Sequence, residues 1–234
     1  MSQQPPSLPK NIYSETRYLL FDGTYFHKDG CLVNFVNILT KRSVAYEYID
    51  KESYYNMLPM LINLKKQGLN PKAITLDGHR KVIEAILEIW PAIIIQRCLF
   101  HIQNQGLMWL RTYPKTQAGR EFRELLRSLT SIHTKQKMQT FIMTYQRWRY
   151  KHQTFIKQLP RHSVANIDLK RTVGLISNAL PNMFHFLKDR NIASTTNFLE
   201  NFYSQLKHQY QRHRGLTETH KIAYLKWFCY LKTI

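Results

Sequence analysis

The sequence predicts an α/β fold, in which a mixed five-stranded sheet has flanking helices and an all-helical insertion precedes the last part of the chain. Short apolar runs alternate with helical patterns in the order β-β-β-α-β-α-β up to residue 96. From His101 to about Arg190 the pattern becomes helical and basic. Two of the apolar runs end in an aspartate followed by glycine, at Asp22 and Asp77. Open α/β sheets carry their chemistry at such strand ends.

Composition indicates a polyanion as partner. The 234 residues include 34 Lys and Arg but only 15 Asp and Glu, which gives a formal net charge of +19. This length fits one domain with a large insertion or two small domains. Membrane surfaces are also anionic, but no apolar run reaches the length of a transmembrane span, so we expect no membrane partner. Residues 1–10 are polar and do not have the apolar run of a signal peptide, and three sparse cysteines favour a reducing, cytoplasmic compartment.

The first part of the chain predicts an antiparallel meander. Residues 1–15 are polar and Pro-rich, so we expect a tail or linker. Tyr18–Phe21 is the first predicted strand and ends at Asp22. Cys31–Leu39 and Ser43–Tyr48 are the next two, since they are rich in β-branched and aromatic residues and are separated by a polar turn.

Two helices and two strands follow. Ser53 to Gln67 is predicted as a helix, in which Pro59 marks either a kink or the true start. Ala73–Leu76 is a strand that leads to Asp77, and His79 to Ile89 is an amphipathic helix. Ala92–Gln96 is an apolar run typical of a strand covered on both faces. This order, with carboxylates after the first and fourth strands, is the ribonuclease-H-like arrangement.

The basic helical segment divides the predicted core. We expect a core from residues 16–100, a helical insertion at 101–190 and C-terminal core helices at 191–234. The one-sided charge of the insertion favours a DNA-facing surface over an ordinary solvated face. Its interleaved aromatic residues could stack on unpaired bases, but for most of them a place in the core is the favoured interpretation; they are Trp109, Tyr113, Trp148 and Tyr150.

A further helix is predicted to carry Glu200. Ser194 to Thr196 offer N-caps, and Phe198, Phe202 and Leu206 repeat every four residues as its apolar face. Glu200 would then lie on a polar stripe that faces away from the core. The basic stretch after it is predicted to bind a phosphate backbone, through Lys207, Arg212 and Arg214. Thr217 to Leu231 is the last predicted helix.

Two aspartates at strand ends and one glutamate on a helix suit a divalent-metal site for phosphodiester chemistry. Each Asp-Gly pair, taken alone, is an ordinary turn signal. The three carboxylates of Asp22, Asp77 and Glu200 in a chain so poor in acid favour the metal site. Cys98 and His101 form a Cys-x-x-His pair, but no second ligand pair lies nearby. The sequence therefore favours a core cysteine and a capping histidine over zinc.

Taken together, these motifs resemble the DDE transposases of bacterial insertion sequences, in the C/D(2)H branch related to Mutator-like elements. The resemblance covers roughly residues 16–230. The matching motifs are Phe-Asp-Gly-Thr-Tyr at Asp22, Leu-Asp-Gly-His at Asp77, Cys98 with His101, and Thr-Thr-Asn-x-x-Glu-Asn at Glu200. Leu206-Lys207 and the Arg-Gly-Leu-Thr at 214–217 are also similar to this group.

The resemblance implies a transposase catalytic domain that cleaves DNA ends and transfers strands. It implies that Asp22, Asp77 and Glu200 hold two Mg²⁺ or Mn²⁺ ions. It places Arg97, Cys98, His101 and Asn197 among the DNA-binding residues, beside the three basic residues named above. The implied partners are transposon ends and target DNA, bound by a homodimer on paired ends. The implied location is the nucleoid of a prokaryotic cytoplasm.

The resemblance has one departure. Members of this group usually carry an N-terminal zinc-binding or helix-turn-helix region, whereas only a short tail precedes Asp22. The chain is then a catalytic fragment, a short transposase that reads its ends with the core, or a decayed or repurposed copy. Other functions remain open at this point: a junction-resolvase type of nuclease, a non-catalytic DNA-binding protein derived from a transposase, or a basic α/β domain with turn aspartates.

Overall fold

The structure is a computed structural model that describes residues 4–9, 11–26, 30–213 and 215–232. The chain forms two compact units. The first, called here the sheet unit, comprises residues 1–96 and 190–234, and the second, the helical unit, comprises residues 97–189.

A mixed five-stranded sheet is the centre of the sheet unit. Its strands are β1 (Tyr18–Tyr25), β2 (Cys31–Asn37), β3 (Ser43–Ile49), β4 (Ala73–Leu76) and β5 (Ile94–Arg97), in the spatial order β3-β2-β1-β4-β5. The pairs β1–β2 and β2–β3 are antiparallel, whereas β1 and β4 are parallel. This topology confirms the predicted α/β fold and is consistent with a ribonuclease-H-like arrangement.

Both units contain helices within the described residues. Those before the helical unit are α1 (Asn11–Glu15), α2 (Tyr54–Lys66) and α3 (Arg80–Ile89). The helical unit contains α4 (Leu99–Trp109), α5 (Gln117–Arg127), α6 (Lys135–Gln158) and α7 (Val164–Ala179), and the chain returns with α8 (Asn197–Tyr210) and α9 (Glu218–Leu231). None of these helices combines the length and apolarity that a membrane crossing needs, within the part of the chain that the structure describes.

Successive side chains of β1 belong alternately to two apolar cores, one on each face of the sheet. Leu19 and Phe21 of β1 belong to the core that includes Met57 of α2 and Ile86 of α3. Leu20, between them, belongs to a second core. That second core includes Leu199, Phe202 and Leu206 of α8 and Leu225 and Phe228 of α9. Because successive strand residues point to opposite faces, α2 and α3 cover one face of the sheet and α8 and α9 the other.

Predicted boundaries differ from the structure at the end of β1 and in the predicted tail, among other places. The first strand does not end at Asp22 but continues to Tyr25, because Gly23, Thr24 and Tyr25 pair with β2. Residues 11–15 form the short helix α1 within the predicted tail, and its Tyr13 is buried in the sheet unit. Pro59 lies inside α2, and the N-cap is Ser53, whose side chain accepts a hydrogen bond from the backbone N–H of Asn56.

The helical unit has its own core. Phe122 of α5 stacks on Trp148 of α6 with ring centroids 4.1 Å apart, and Tyr145 packs beside them. Trp148 is buried and cannot stack on a base in this conformation, whereas Tyr113 and Tyr150 are 88% and 81% exposed. This unit contains sixteen Lys and Arg but four Asp and Glu, so it holds most of the excess positive charge of the chain.

Candidate active site

The parallel pairing of β1 with β4 positions the two aspartates. Leu19 pairs with Ile74 and Leu20 with Thr75. The same register, continued by two residues, puts Asp22 level with Asp77, which directly follows the last residue of β4. Neighbouring strands lie about 4.8 Å apart, so the two aspartates are close to each other, near the same end of the two parallel strands.

Local backbone contacts orient both carboxylates, which are half-buried. Oδ1 of Asp22 accepts a hydrogen bond of 3.0 Å from the backbone N–H of Gly23. Oδ1 of Asp77 accepts one of 2.9 Å from the backbone N–H of His79, which is the N-cap of α3. Gly78 between them has φ +109°, a conformation that favours glycine and lets the chain turn sharply from β4 into α3.

Helix α8 brings the third predicted carboxylate to the same face of the sheet. Asp22 lies two positions after Leu20 in β1, so the two side chains point to the same face of the sheet. Leu20 packs against α8 on that face. The hydroxyl of Tyr203 in α8 donates a 2.6 Å hydrogen bond to the backbone carbonyl oxygen of Asp22. Glu200 precedes Tyr203 by about one helical turn, so it lies on the side of α8 that faces β1.

The segment that leads into α8 is anchored as well. The hydroxyl of Thr75, in β4, donates a 2.8 Å hydrogen bond to the carbonyl oxygen of Ala193. This bond ties the strand before Asp77 to the segment before Glu200. All three predicted carboxylates are thus carried by elements that contact one another directly on one face of the sheet.

The prediction that Glu200 faces away from the core is wrong. Glu200 is half-buried and its Oε1 atom is shielded from solvent. The buried stripe of α8 is wider than predicted because Leu199 and Tyr203 are buried in addition to Phe202 and Leu206. Thr196 is the N-cap, although its side chain makes no capping hydrogen bond.

The surroundings of Asp22 are apolar and negatively charged. Burial raises the pKa of the Tyr203 hydroxyl well above its usual range, and the charge of Asp22 adds to that shift. Burial also raises the pKa of the Cys31 thiol, and the neighbouring Glu52 carboxylate raises it further. Both groups therefore stay protonated, and the Tyr203 hydroxyl is a hydrogen-bond donor at all ordinary pH values.

Sequence reasoning missed Tyr203 and Glu52. The side chain of Tyr203 contacts Asp22 across 181 positions of sequence. The carboxylate of Glu52 packs against the backbone of Gly23. The sequence holds only one weak signal of this contact, a glycine directly after the first aspartate.

The predicted DNA-binding residues of the sheet unit lie along α8 and after it. Asn197 is exposed at the first residue of α8. The ammonium group of Lys207, in the last turn, lies 5.7 Å from the centre of the Phe26 ring. Arg212 is exposed, and its Nη2 atom is 3.4 Å from Nε2 of His208. Arg214 lies outside the described residues.

The remaining predicted DNA-binding residues belong to the helical unit. Arg97 is the last residue of β5, and Cys98 is the N-cap of α4. Cys98 is fully buried, and its sulfur lies 3.3 Å from Nδ1 of the half-buried His101. A buried thiol cannot contact DNA directly, so this geometry favours a positioning role for Cys98 towards His101.

The donor types in the sheet unit fit a hard divalent cation, since Mg²⁺ and Mn²⁺ prefer carboxylate oxygens. In their present rotamers, however, the side chains do not converge. Across the described ranges, no group of three or more His, Cys, Asp or Glu side chains has an arrangement that could hold a metal ion.

Comparison with known proteins identifies the family. The model of the family described as "Transposase, Mutator family" matches residues 40–225, which is about four-fifths of the chain. The match includes Asp77 and Glu200 and begins after Asp22. No individually curated protein matches the chain. Transposases cut DNA, and the family in general uses a divalent metal ion. The chain therefore belongs to the Mutator family of transposases, and its partner is DNA.

Proposed function

We propose that the sheet unit is the catalytic core of a DDE transposase, which cleaves DNA at the ends of a mobile element and joins the freed ends to target DNA. The observation that supports this proposal best is the shared register of β1 and β4, which puts Asp22 level with Asp77 on the face that α8 covers. Glu200 on α8 supplies the third carboxylate.

Asp22, Asp77 and Glu200 are the residues that would hold two Mg²⁺ or Mn²⁺ ions. Such ions, when bound, lower the pKa of an attacking water or 3′-hydroxyl and stabilise the leaving oxygen. Rotation of the three side chains is needed to bring their oxygens together, because their present rotamers do not form a metal site. Tyr203 and Thr75 already tie β1 and β4 to α8 and to the segment before it, so the elements that carry the three carboxylates are joined by hydrogen bonds.

Two basic surfaces would bind the DNA backbone. Lys207 and Arg212 lie at the end of the helix that carries Glu200, and the helical unit has a four-to-one excess of basic over acidic residues. Contacts from such residues to phosphates give affinity without sequence preference. We propose His101, Arg97 and Asn197 as contacts to the DNA end, and a homodimer on paired ends as the working assembly in the nucleoid.

The proposal is tested by nicking and strand transfer on labelled DNA that contains the sequences flanking the gene. The wild-type protein is compared with Asp22→Ala, Asp77→Ala and Glu200→Ala. We expect Mg²⁺- or Mn²⁺-dependent nicking and joining by the wild type and none by the variants, which should still bind DNA. The control is Glu88→Ala, which removes a carboxylate at the far end of α3.

Each of the other outcomes has a distinct meaning. Undiminished nicking by Asp77→Ala contradicts the proposed site. Nicking without joining of a pre-cut end indicates a resolvase type of nuclease. Binding without chemistry in any of the proteins indicates a DNA-binding protein derived from a transposase.

A further inference from the structure

We propose that the helical unit has a pocket for an unpaired DNA base, between the segment that joins α4 to α5 and the start of α7. This inference rests on the proposed function and deepens it, because it names the form of DNA that the helical unit recognises. Nicking at the end of an element lets the neighbouring base pairs open, so the proposed reaction itself provides unpaired bases.

The pocket has the size of a single aromatic ring. Its volume is about 130 Å³. An apolar cavity of about 150 Å³ holds one benzene molecule. Leu110 and Leu169 in its lining are buried, whereas Val164 is 48% exposed. The pocket therefore leads from solvent to the apolar core of the helical unit, and a planar base can enter it edge first.

Tyr113 lies at the mouth of this pocket. The residue lines the pocket but is 88% exposed, so its ring contributes little to the packing of the unit. Every base has a flat π-face, and stacking on an aromatic side chain is therefore possible for any sequence. An exposed tyrosine beside an apolar pocket of this size matches the needs of an unpaired base.

The segment that carries Tyr113 is held in place by α5. Nη1 of Arg120 donates hydrogen bonds to the carbonyl oxygens of Pro114 and Lys115, at 3.2 and 3.4 Å. A Cβ atom on Gly119 would lie 2.8 Å from Cβ of Pro114, so the glycine lets this segment pack directly on α5. A segment that is already ordered loses little conformational entropy when a ligand binds.

A charged pair on the pocket wall offers polar contacts for the edge of a base. Nε of Arg111 donates a 2.8 Å hydrogen bond to Oδ2 of Asp168, and both residues line the pocket. The pair presents further N–H donors and carboxylate oxygens, which complement the acceptors and donors of base edges. Arg111 also has φ +61°, a conformation that is uncommon outside glycine and recurs where ligands are held.

Charge selects DNA as the occupant of the pocket. Lys115 lines the pocket and is exposed, as are Arg120 and Arg171 beside it. Asp168 is the one acidic residue in the lining, and it is paired with Arg111. The surrounding cations therefore suit the phosphates on either side of a captured base. DNA is also the partner that the family assigns to this chain.

The experiment measures binding of labelled DNA to the full chain in the absence of divalent metal, so that no cleavage is needed or possible. Each protein is titrated with a short single strand of thymidines and with the same strand paired to its complement. The variants are Tyr113→Ala, Tyr113→Phe and Ala165→Leu, of which the last fills the pocket from α7 and keeps the tyrosine. The matched control is Tyr150→Ala, which removes an exposed tyrosine of α6 outside the lining of this pocket. Thermal unfolding verifies that each variant is folded.

We expect Tyr113→Ala to weaken binding of the single strand by about fivefold to 100-fold, as the loss of one stacked base does. Binding of the duplex should change little, because its bases are paired and stacked. Tyr113→Phe keeps the ring and should bind the single strand as the wild type does. Ala165→Leu should lose a similar factor to Tyr113→Ala, and Tyr150→Ala should behave as the wild type.

Three results overturn the inference. Unchanged single-strand affinity in Tyr113→Ala and Ala165→Leu does so, and leaves a protein segment as the occupant to test. Equal losses for single strand and duplex do so as well, since they indicate a general effect on phosphate binding. An equal loss in Tyr150→Ala shows that exposed aromatic residues act without this pocket.

The double variant Tyr113→Ala with Ala165→Leu provides a second test. It should bind the single strand no more weakly than the weaker single variant, because both changes remove the same contact. Fully additive losses would show that the two residues do not share a ligand, and would overturn the inference. The two proposals fail separately: base capture without nicking by any protein refutes only the proposed catalytic core. Nicking with unchanged single-strand affinity in both variants refutes only the base pocket.

Discussion

The hydroxyl of Tyr203 lies 2.6 Å from the backbone carbonyl oxygen of Asp22 and donates a hydrogen bond to it. This bond joins the middle of β1 to the helix that carries Glu200. Tyr203 is only 4% exposed, and burial raises the pKa of its hydroxyl well above the usual range, which keeps the proton on the donor. This buried hydroxyl therefore helps to set the spacing between Asp22 and Glu200, together with the apolar core that β1 shares with α8.

Tyr203→Phe should weaken the site without changing its charge. Loss of a typical intramolecular hydrogen bond lowers the free energy of unfolding by about 0.5–1.5 kcal/mol. If the activation free energy of nicking rises by the same amount, the nicking rate falls roughly two- to tenfold. Urea denaturation and single-turnover nicking measure the two effects. Tyr210→Phe is the control, since this ring lies in the same helix and packs on Phe26. A normal nicking rate in Tyr203→Phe contradicts the positioning role.

The basic end of α8 should control the salt dependence of DNA binding. The log–log slope of affinity against salt changes by about 0.9 for each phosphate neutralised on duplex DNA. Combined Lys207→Ala and Arg212→Ala should therefore reduce the slope by about 2 units, with no change in sequence preference. Fluorescence anisotropy in the absence of divalent metal measures binding without cleavage.

Lys66→Ala serves as the control, because Lys66 is exposed at the end of α2 on the opposite face of the sheet. Its slope should equal that of the wild type. An unchanged slope in the double variant would show that α8 does not contact phosphates, and the helical unit would then remain as the DNA-binding surface to test.

Much of the sheet could be predicted because its strands are apolar runs bounded by turn residues. The extent of β1 could not, since Asp22-Gly23 has the sequence of a turn but pairs with Asn34 and Val33 in the antiparallel ladder. The short helix at residues 11–15 was hidden for a similar reason. It follows a Pro-rich stretch, and its one buried residue, Tyr13, is stabilised by the tertiary core rather than by local propensity.

The environment of the candidate site was harder to predict than its residues. Periodicity placed Glu200 on a polar stripe of the helix. That pattern does not show whether a tyrosine is buried or exposed, and Tyr203 is in fact buried. Because Tyr203 is buried, the side of α8 that faces β1 extends to Glu200. The contact of Glu52 with Gly23 joins a strand to a distant helix start, and no local pattern in a single sequence encodes such a contact.

The ion pairs of Glu121 in the helical unit should make the free energy of unfolding depend on pH. Lys151 Nζ lies 2.7 Å from its Oε1 and His152 Nε2 lies 2.7 Å from its Oε2. These hydrogen bonds, that of Lys151 first, lower the pKa of Glu121 to about 2. Because the pKa is lower in the folded state than in the unfolded state, the ionised carboxylate stabilises the fold above the unfolded pKa, about 4.3. This stabilisation is lost as pH falls from that value towards 2.

Glu121→Gln should therefore be less stable than the wild type at pH 7, and the difference should shrink as pH falls from about 5 to about 2.5. Urea unfolding followed by tryptophan fluorescence measures it, because Trp148 stacks in the same core. Glu124→Gln is the matched control: Glu124 is an exposed residue of the same helix, paired with Arg127 at the surface, and exposed pairs contribute little. A constant difference between wild type and Glu121→Gln from pH 7 to pH 2.5 would show that the Glu121 carboxylate gains nothing from Lys151 and His152. The stability of the helical unit would then come from its apolar core, with no contribution from the Glu121 pairs.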